Sequence, residues 1–183
     1  MSETNKKIIY FLVAVVVIVA VGFVFVPQKE VNKESVDRRM KESEMISGLK
    51  SVSVTDMQGN SFKLNKAIED DKLVLINSWA TWCPFCVEEL KDFAKAKNKF
   101  GEDIKILAVN RAESNKKVSN FVSELDTEDE ITFLMDPNDG FYKQIGGFSM
   151  PETVFVKNNE ILLHKRGPMD FLEIKQKVNS FLK

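Results

Sequence analysis

The sequence is short of the residues on which most functional classes depend. It holds two cysteines in 183 residues, three positions apart, so neither a disulfide-rich scaffold nor a long-loop staple is available to it. It holds one histidine, His164, too few with the cysteines to make the four ligands of a structural zinc site. Positive charge is not in excess, with 26 Lys and Arg against 27 Asp and Glu, which removes the basic field that nucleic-acid binding needs. Glycine and proline are sparse at 8 and 5, there is no internal repeat, and 44% of residues are apolar, so a disordered or fibrous chain is excluded. The length suits one ordinary domain with an appendage.

What is present begins with an apolar run. From Ile8 to Val26 the chain carries no charge, and as a helix this run would reach roughly 28 Å, close to the roughly 30 Å of a bilayer's hydrocarbon core. That predicts a transmembrane anchor over 8–26 behind a short cytoplasmic segment, 1–7. Ala20-Val21-Gly22 offers a small-residue cleavage site, but Phe23 to Val26 continue the run past it, so the anchor is expected to stay. No cysteine follows for lipid attachment. Lys29, Lys33, Arg38, Arg39 and Lys41 outnumber Lys6 and Lys7, against an outward orientation. Long domains translocate largely regardless of such charge, and the chemistry below sets this one outside. Residues 27–48 mix charges without an apolar stripe and read as a tether, leaving 49–183 as the folded domain.

In that domain strands and helices alternate. Asp56 to Asn60 lies between two short strand-like pieces and predicts an N-terminal hairpin. Leu73 to Ile76 and Ile104 to Val109 are continuous apolar runs, as expected of central strands covered on both faces, and Phe85 to Phe100 between them is helical in pattern. Val118, Phe121, Val122 and Leu125 make an amphipathic helix behind Ser114, and Ile131 to Met135 predicts another strand before the Asp136-Pro137-Asn138-Asp139-Gly140 turn. A short helix near Phe141 to Ile145, a hairpin about Asn158-Asn159, and a last helix capped by Asp170 complete the series. The fold class is α/β: a mixed central sheet flanked by helices, with parallel crossovers first and an antiparallel hairpin last.

The two cysteines stand where the first long strand gives way to the first long helix. Pro84 suits the first helical position, which makes Cys83 the N-cap, beside unpaired backbone N–H groups and the positive end of the helix dipole. Both favour thiolate, the nucleophilic form, so an approachable sulfur is expected at Cys83. Cys86, one turn further in, is placed to resolve a mixed disulfide. His164 lies on a distant strand and reads as a partly exposed structural residue.

Cys86, Glu89, Leu90 and Phe93 share one helix face. Glu89 on that face would be desolvated, its pKa raised, and able to exchange a proton with Cys86; the alternative is a surface glutamate that bends away. Met150-Pro151 precedes the last hairpin. As a cis bond it would set the Met150 backbone beside the disulfide, where an extended substrate chain could pair with it.

The run Asn77-Ser78-Trp79-Ala80-Thr81-Trp82-Cys83-Pro84-Phe85-Cys86 resembles the active-site strand and turn of the thioredoxin superfamily. With the anchor, the first hairpin and the inserted strand-helix segment near 111–140, the chain from 49 to 183 looks most like the membrane-anchored TlpA/ResA-like branch. The resemblance implies a thioredoxin-like fold and a thiol-disulfide oxidoreductase on the extracytoplasmic side. It makes Cys83 the attacking cysteine, Cys86 the resolving one and Pro151 the cis-proline. Glu89 matches the glutamate that ResA-like proteins carry three residues after the second cysteine, while Asn77 stands where thioredoxins usually have a buried aspartate. Trp82, Pro84, Phe85 and Met150 are the expected substrate contacts. The implied partners are exported cysteine-containing proteins and a membrane or extracytoplasmic redox partner, and no cofactor is called for. Pro84-Phe85 is closer to the pairs of glutaredoxin and DsbA-type enzymes than to the Glu-Pro of ResA-like reductases, which tilts the expected direction toward oxidation. Two other readings stand beside it: a ResA-like reductase serving cytochrome c maturation or a similar pathway, and a thioredoxin-like chaperone without redox turnover.

Overall fold

A computed structural model of the chain describes residues 33–183 apart from 70, 126 and 128. The expected anchor over 8–26 lies outside the described residues; among those described, no helix is long and apolar enough to cross a membrane. The chain divides into two compact units, Met1–Asp37 and Arg38–Lys183. The described part of the first is only the opening of helix α1 (Lys33–Ser51), so the stretch read as a tether is helical from Lys33 onward. The folded unit also begins earlier than the expected boundary at residue 49, because Ile46 and Leu49 of α1 are both buried in its core.

The second unit runs β1 (Ser53–Asp56), β2 (Ser61–Lys63), α2 (Leu64–Ile68), β3 (Leu73–Trp79), α3 (Pro84–Phe100), β4 (Ile104–Arg111), α4 (Asn115–Leu125), β5 (Thr132–Asp136), α5 (Gly140–Gln144), β6 (Glu152–Lys157), β7 (Glu160–Arg166) and α6 (Phe171–Phe181). Its seven strands form one sheet in the order β2-β1-β5-β4-β3-β6-β7. β3 pairs in parallel with β4, and β4 with β5, while β1, β2, β6 and β7 join antiparallel. The mixed sheet and its two terminal hairpins are as the sequence pattern predicts.

β3 is buried along its whole length because both faces of the sheet are covered. Leu73, Leu75 and Trp79 face a core made with Leu90 and Phe93 of α3, Val118 and Val122 of α4, and Ile174 and Val178 of α6. Val74 and Ile76 face the other core, with Leu49 of α1, Ile68 of α2 and Phe141 of α5. The period of two thus fixes where the polar member of the strand points: Asn77 follows Leu73 and Leu75 toward α3. Cys83 caps α3 in an extended conformation, φ -100 and ψ 100, with Pro84 at its first turn. Asp170 caps α6 through a hydrogen bond accepted from the Glu173 amide at 2.8 Å.

Candidate active site

The chain leaves β3 at Trp79, turns through Ala80 to Trp82 and enters α3 at Cys83, so the two cysteines sit at the carboxyl end of a central parallel strand. Here they are joined in a disulfide, with their Cα atoms 5.3 Å apart. The Cys86 amide donates to Cys83 Sγ at 3.2 Å, the helix-terminal N–H that a sulfur anion at Cys83 would use. Exposure differs from the expectation. Cys83 is only 5% exposed and Cys86 wholly buried, so the pair is largely covered by its surroundings. The surrounding relief is apolar and open, with Trp82 63% and Phe85 65% exposed and Pro84 exposed between the cysteines.

Glu89 points inward and is buried. Its carboxylate accepts from the Asn77 side-chain amide at 2.8 Å and from the Met169 backbone amide at 2.9 Å, and Asn77 also donates to Thr153 Oγ1 at 3.0 Å. Burial pushes the Glu89 carboxyl up to about 8, against the pull of those two neutral donors. It therefore holds a proton at neutral pH, one helical turn beyond Cys86.

The Met150–Pro151 peptide bond is cis. The loop before it is held by Glu152, whose buried carboxylate accepts from the Phe148 and Ser149 amides, both at 2.6 Å, and pairs with His164 Nε2 at 2.7 Å. Burial pushes this carboxyl up, but the Ser149 and Phe148 amides and His164 draw it below its ordinary value. Phe148 stands out at 85% exposure, the largest of any bulky apolar side chain among the described residues.

On the other flank, Glu113 fastens the active-site turn. It accepts from the Thr81 amide and the Thr81 hydroxyl, each at 2.7 Å, from Asn110 Nδ2 at 2.8 Å, and from Lys117 at 2.6 Å. Burial works upward here too, yet the donors hold the Glu113 carboxyl down at about 2.

Cys86 and Glu89 thus share the buried face of α3, as helical spacing predicts, with Cys83 as the helix cap, and Asn77 reaches Glu89 from β3. Glu113, Glu152 and Phe148 are additions. Only Glu152, directly after Pro151, had a sequence signal. His164, read as distant from the chemistry, reaches the loop before Pro151 through Glu152 because β6 and β7 are paired.

The Redoxin family model matches residues 40–174. The chain is similar to the thiol:disulfide interchange protein DsbE of Haemophilus influenzae, 24% identical over 163 residues that cover 88% of this chain and 87% of that protein. It is similar also to the thiol-disulfide oxidoreductase ResA of Bacillus thuringiensis subsp. konkukian, 25% identical over 132 residues, 71% of this chain and 72% of that protein. Its backbone matches the structure of MTB DsbF, in mixed oxidized and reduced forms, with a TM-score of 0.65 at 20% identity, over 74% of this chain and 98% of that one. The last likeness concerns the fold.

Proposed function

The chain belongs to the Redoxin family and is a thiol-disulfide oxidoreductase of the thioredoxin superfamily, and on that premise we propose that it exchanges disulfides with cysteines of exported proteins through Cys83-Pro84-Phe85-Cys86. The observation that carries the reading is the Cys86 amide directed at Cys83 Sγ from the start of α3, with Cys86 buried behind it. A substrate thiolate attacks Cys83 Sγ, the Cys83–Cys86 bond breaks, and Cys86 leaves as a thiolate. Glu89, protonated at neutral pH, supplies the proton that makes Cys86 a thiol. A second substrate thiolate then attacks the substrate sulfur of the mixed disulfide and releases Cys83. The substrate has lost two electrons and two protons; the enzyme dithiol has gained them and is recharged by a disulfide-bearing redox partner. The substrate chain is taken up at Trp82, Pro84, Phe85 and Met150, beside Pro151, and Phe148, three residues before that proline, is a further exposed apolar side chain on the same loop.

The uncharged run from Ile8 to Val26 supports an uncleaved single-pass anchor with the catalytic domain on the extracytoplasmic side. Pro84-Phe85 between the cysteines favours oxidation. A reductase is the second reading, favoured by Glu89, which stands as the corresponding glutamate does in ResA-like proteins. Equilibration with glutathione separates the two: a potential near about -120 mV, the DsbA value, supports the oxidant, and one near about -270 mV, the thioredoxin value, supports the reductase. The shared chemistry is tested by alkylating the reduced protein. Cys83 is expected to label much faster than Cys86; equal, slow labelling of both overturns the exchange reading, and exchange-independent binding by a Cys83→Ser, Cys86→Ser double variant would point to a chaperone.

A further inference from the structure

Arg111 ends β4 and reaches Met150 of the loop before Pro151, and its contacts serve no step of the exchange chemistry. Its Nε donates to Asp139 Oδ1 at 2.8 Å and its Nη2 pairs with Asp139 Oδ2, a two-point grip that fixes the guanidinium plane. That plane lies over the Tyr142 ring, 3.5 Å from its centroid. The remaining nitrogen, Nη1, reaches Met150 Sδ at 3.1 Å. Tyr142 in turn donates from its hydroxyl to the Ser149 carbonyl at 3.1 Å. The ring is seated against Gly147, where an added Cβ would meet it at 2.4 Å. Residues 147–150 are therefore gripped by Arg111 and Tyr142 at the same time as Glu152 holds the amides of Phe148 and Ser149.

We infer that Arg111 is a positioning residue for extended polypeptide substrates: through Met150 and Tyr142 it holds the bend before Pro151 in one fixed geometry, with the Met150 backbone presented to the substrate chain. The inference rests on the exchange function proposed above. A backbone held in this way can pair with a peptide backbone, so its geometry matters to a chain with several amides and not to a disulfide that has none. A guanidinium is suited to the task because one group must serve a carboxylate, a ring face and a sulfur together, and a lysine ammonium has no planar fork for this.

The test uses the full-length protein, reduced beforehand with a dithiol and then mixed in single turnover with one of two oxidants. One is an extended peptide closed by a disulfide; the other is dithiobis(nitrobenzoate), a small disulfide without a peptide backbone. Each reaction converts the enzyme dithiol to its disulfide and the oxidant to two thiols. For Arg111→Met and Arg111→Lys, the half-saturating peptide concentration is expected to rise about tenfold with the limiting rate within about twofold, and the small disulfide to react at the wild-type rate. Tyr142→Phe, which removes one hydroxyl and keeps the ring, is expected to give the same pattern at about threefold and guards against an Arg111 variant that fails to fold. Equal losses on both oxidants, or no change on the peptide, overturn the inference. A wild-type protein that reacts with neither oxidant removes the exchange function and the inference with it, an outcome separate from the first two.

Discussion

The regions on the two sides of the turn before Cys83 each hold a glutamate, one buried and one half-buried, and the two meet opposite fates. Inside the helix face, Glu89 is 1% exposed and receives two neutral hydrogen bonds. At the rim, the Glu113 side chain is 8% exposed and receives four, one of them from a lysine. Burial raises both carboxyls, so desolvation alone cannot account for a value of about 8 at one and about 2 at the other. The donor set decides. Two neutral donors leave the charged form of Glu89 short of what water would give it, whereas three N–H or O–H groups and an ammonium more than replace water around Glu113. The first region stores a proton one helical turn beyond Cys86, and the second uses an anion to hold the turn that leads into Cys83.

The comparison has a sharp consequence for pH. Glu89 has its folded value raised above the ordinary 4.5, so its contribution to stability is full below pH 4.5 and is lost as pH rises through about 8. Glu113 has its value depressed, so its contribution is full above pH 4.5 and is lost as pH falls through about 2. The largest expected effect follows from removing the first. In Glu89→Gln the amide oxygen can accept from Met169 while Asn77 turns its unpartnered Oδ1 toward the new NH2, so packing is kept and the alkaline cost disappears. Denaturant titrations at pH 9 should find this variant more stable than wild type by several kcal/mol, at most about 5 for a carboxyl held at about 8 instead of 4.5. A wild-type advantage at pH 9 would erase the contrast between the two regions.

The same variant should lose exchange rate even as it gains stability. General-acid assistance is commonly worth a factor of 100 or more, and water can replace part of it, so the step that releases Cys86 should slow by roughly 10- to 100-fold near pH 7. Its pH profile should also lose the inflection near pH 8, which single-turnover kinetics over pH 6 to 10 would check.

On the other side, Glu113→Gln keeps the shape but replaces one acceptor oxygen by a donor, which then faces either the Thr81 amide and Asn110 or the Thr81 hydroxyl and Lys117. A loss of about 1–3 kcal/mol in unfolding free energy is expected, with the deficit shrinking as pH falls from 4.5 toward about 2, where the unfolded and then the folded wild-type carboxyl takes up its proton. Thr81→Val removes only the hydroxyl arm of this grip and should cost about 1 kcal/mol, with exchange slowed no more than a few-fold. Chemical denaturation beside a standard exchange assay orders the two.

The inner region was largely legible in the sequence and the outer one was not, for a physical reason. Cys83, Pro84, Cys86 and Glu89 lie within two helical turns, so the 3.6 period and the capping preferences fix their relation locally. β3 adds Asn77 through the strict alternation of a strand buried on both faces. Glu113 reaches Thr81 from 32 positions away and Arg111 reaches Met150 from 39, distances along the chain that only the parallel pairing of β4 beside β3 and β5 brings to contact. The cis state of Met150–Pro151 belongs with these, since the loop that holds it is fastened by Glu152, His164, Tyr142 and Arg111 from separate elements. The helix from Lys33 escaped for the opposite reason: its side chains carry too many charges for an apolar stripe, and among the described residues of this helix those that reach the core are Met45, Ile46 and Leu49 near its end.

Trapping the mixed disulfide tests the division of labour between the two sulfurs most directly. The reduced Cys86→Ser variant, mixed with a peptide disulfide and acid-quenched, should accumulate one covalent adduct that mass spectrometry maps to Cys83, while the reduced Cys83→Ser variant should accumulate almost none. Equal trapping at position 86, or no adduct on either variant, would contradict the account.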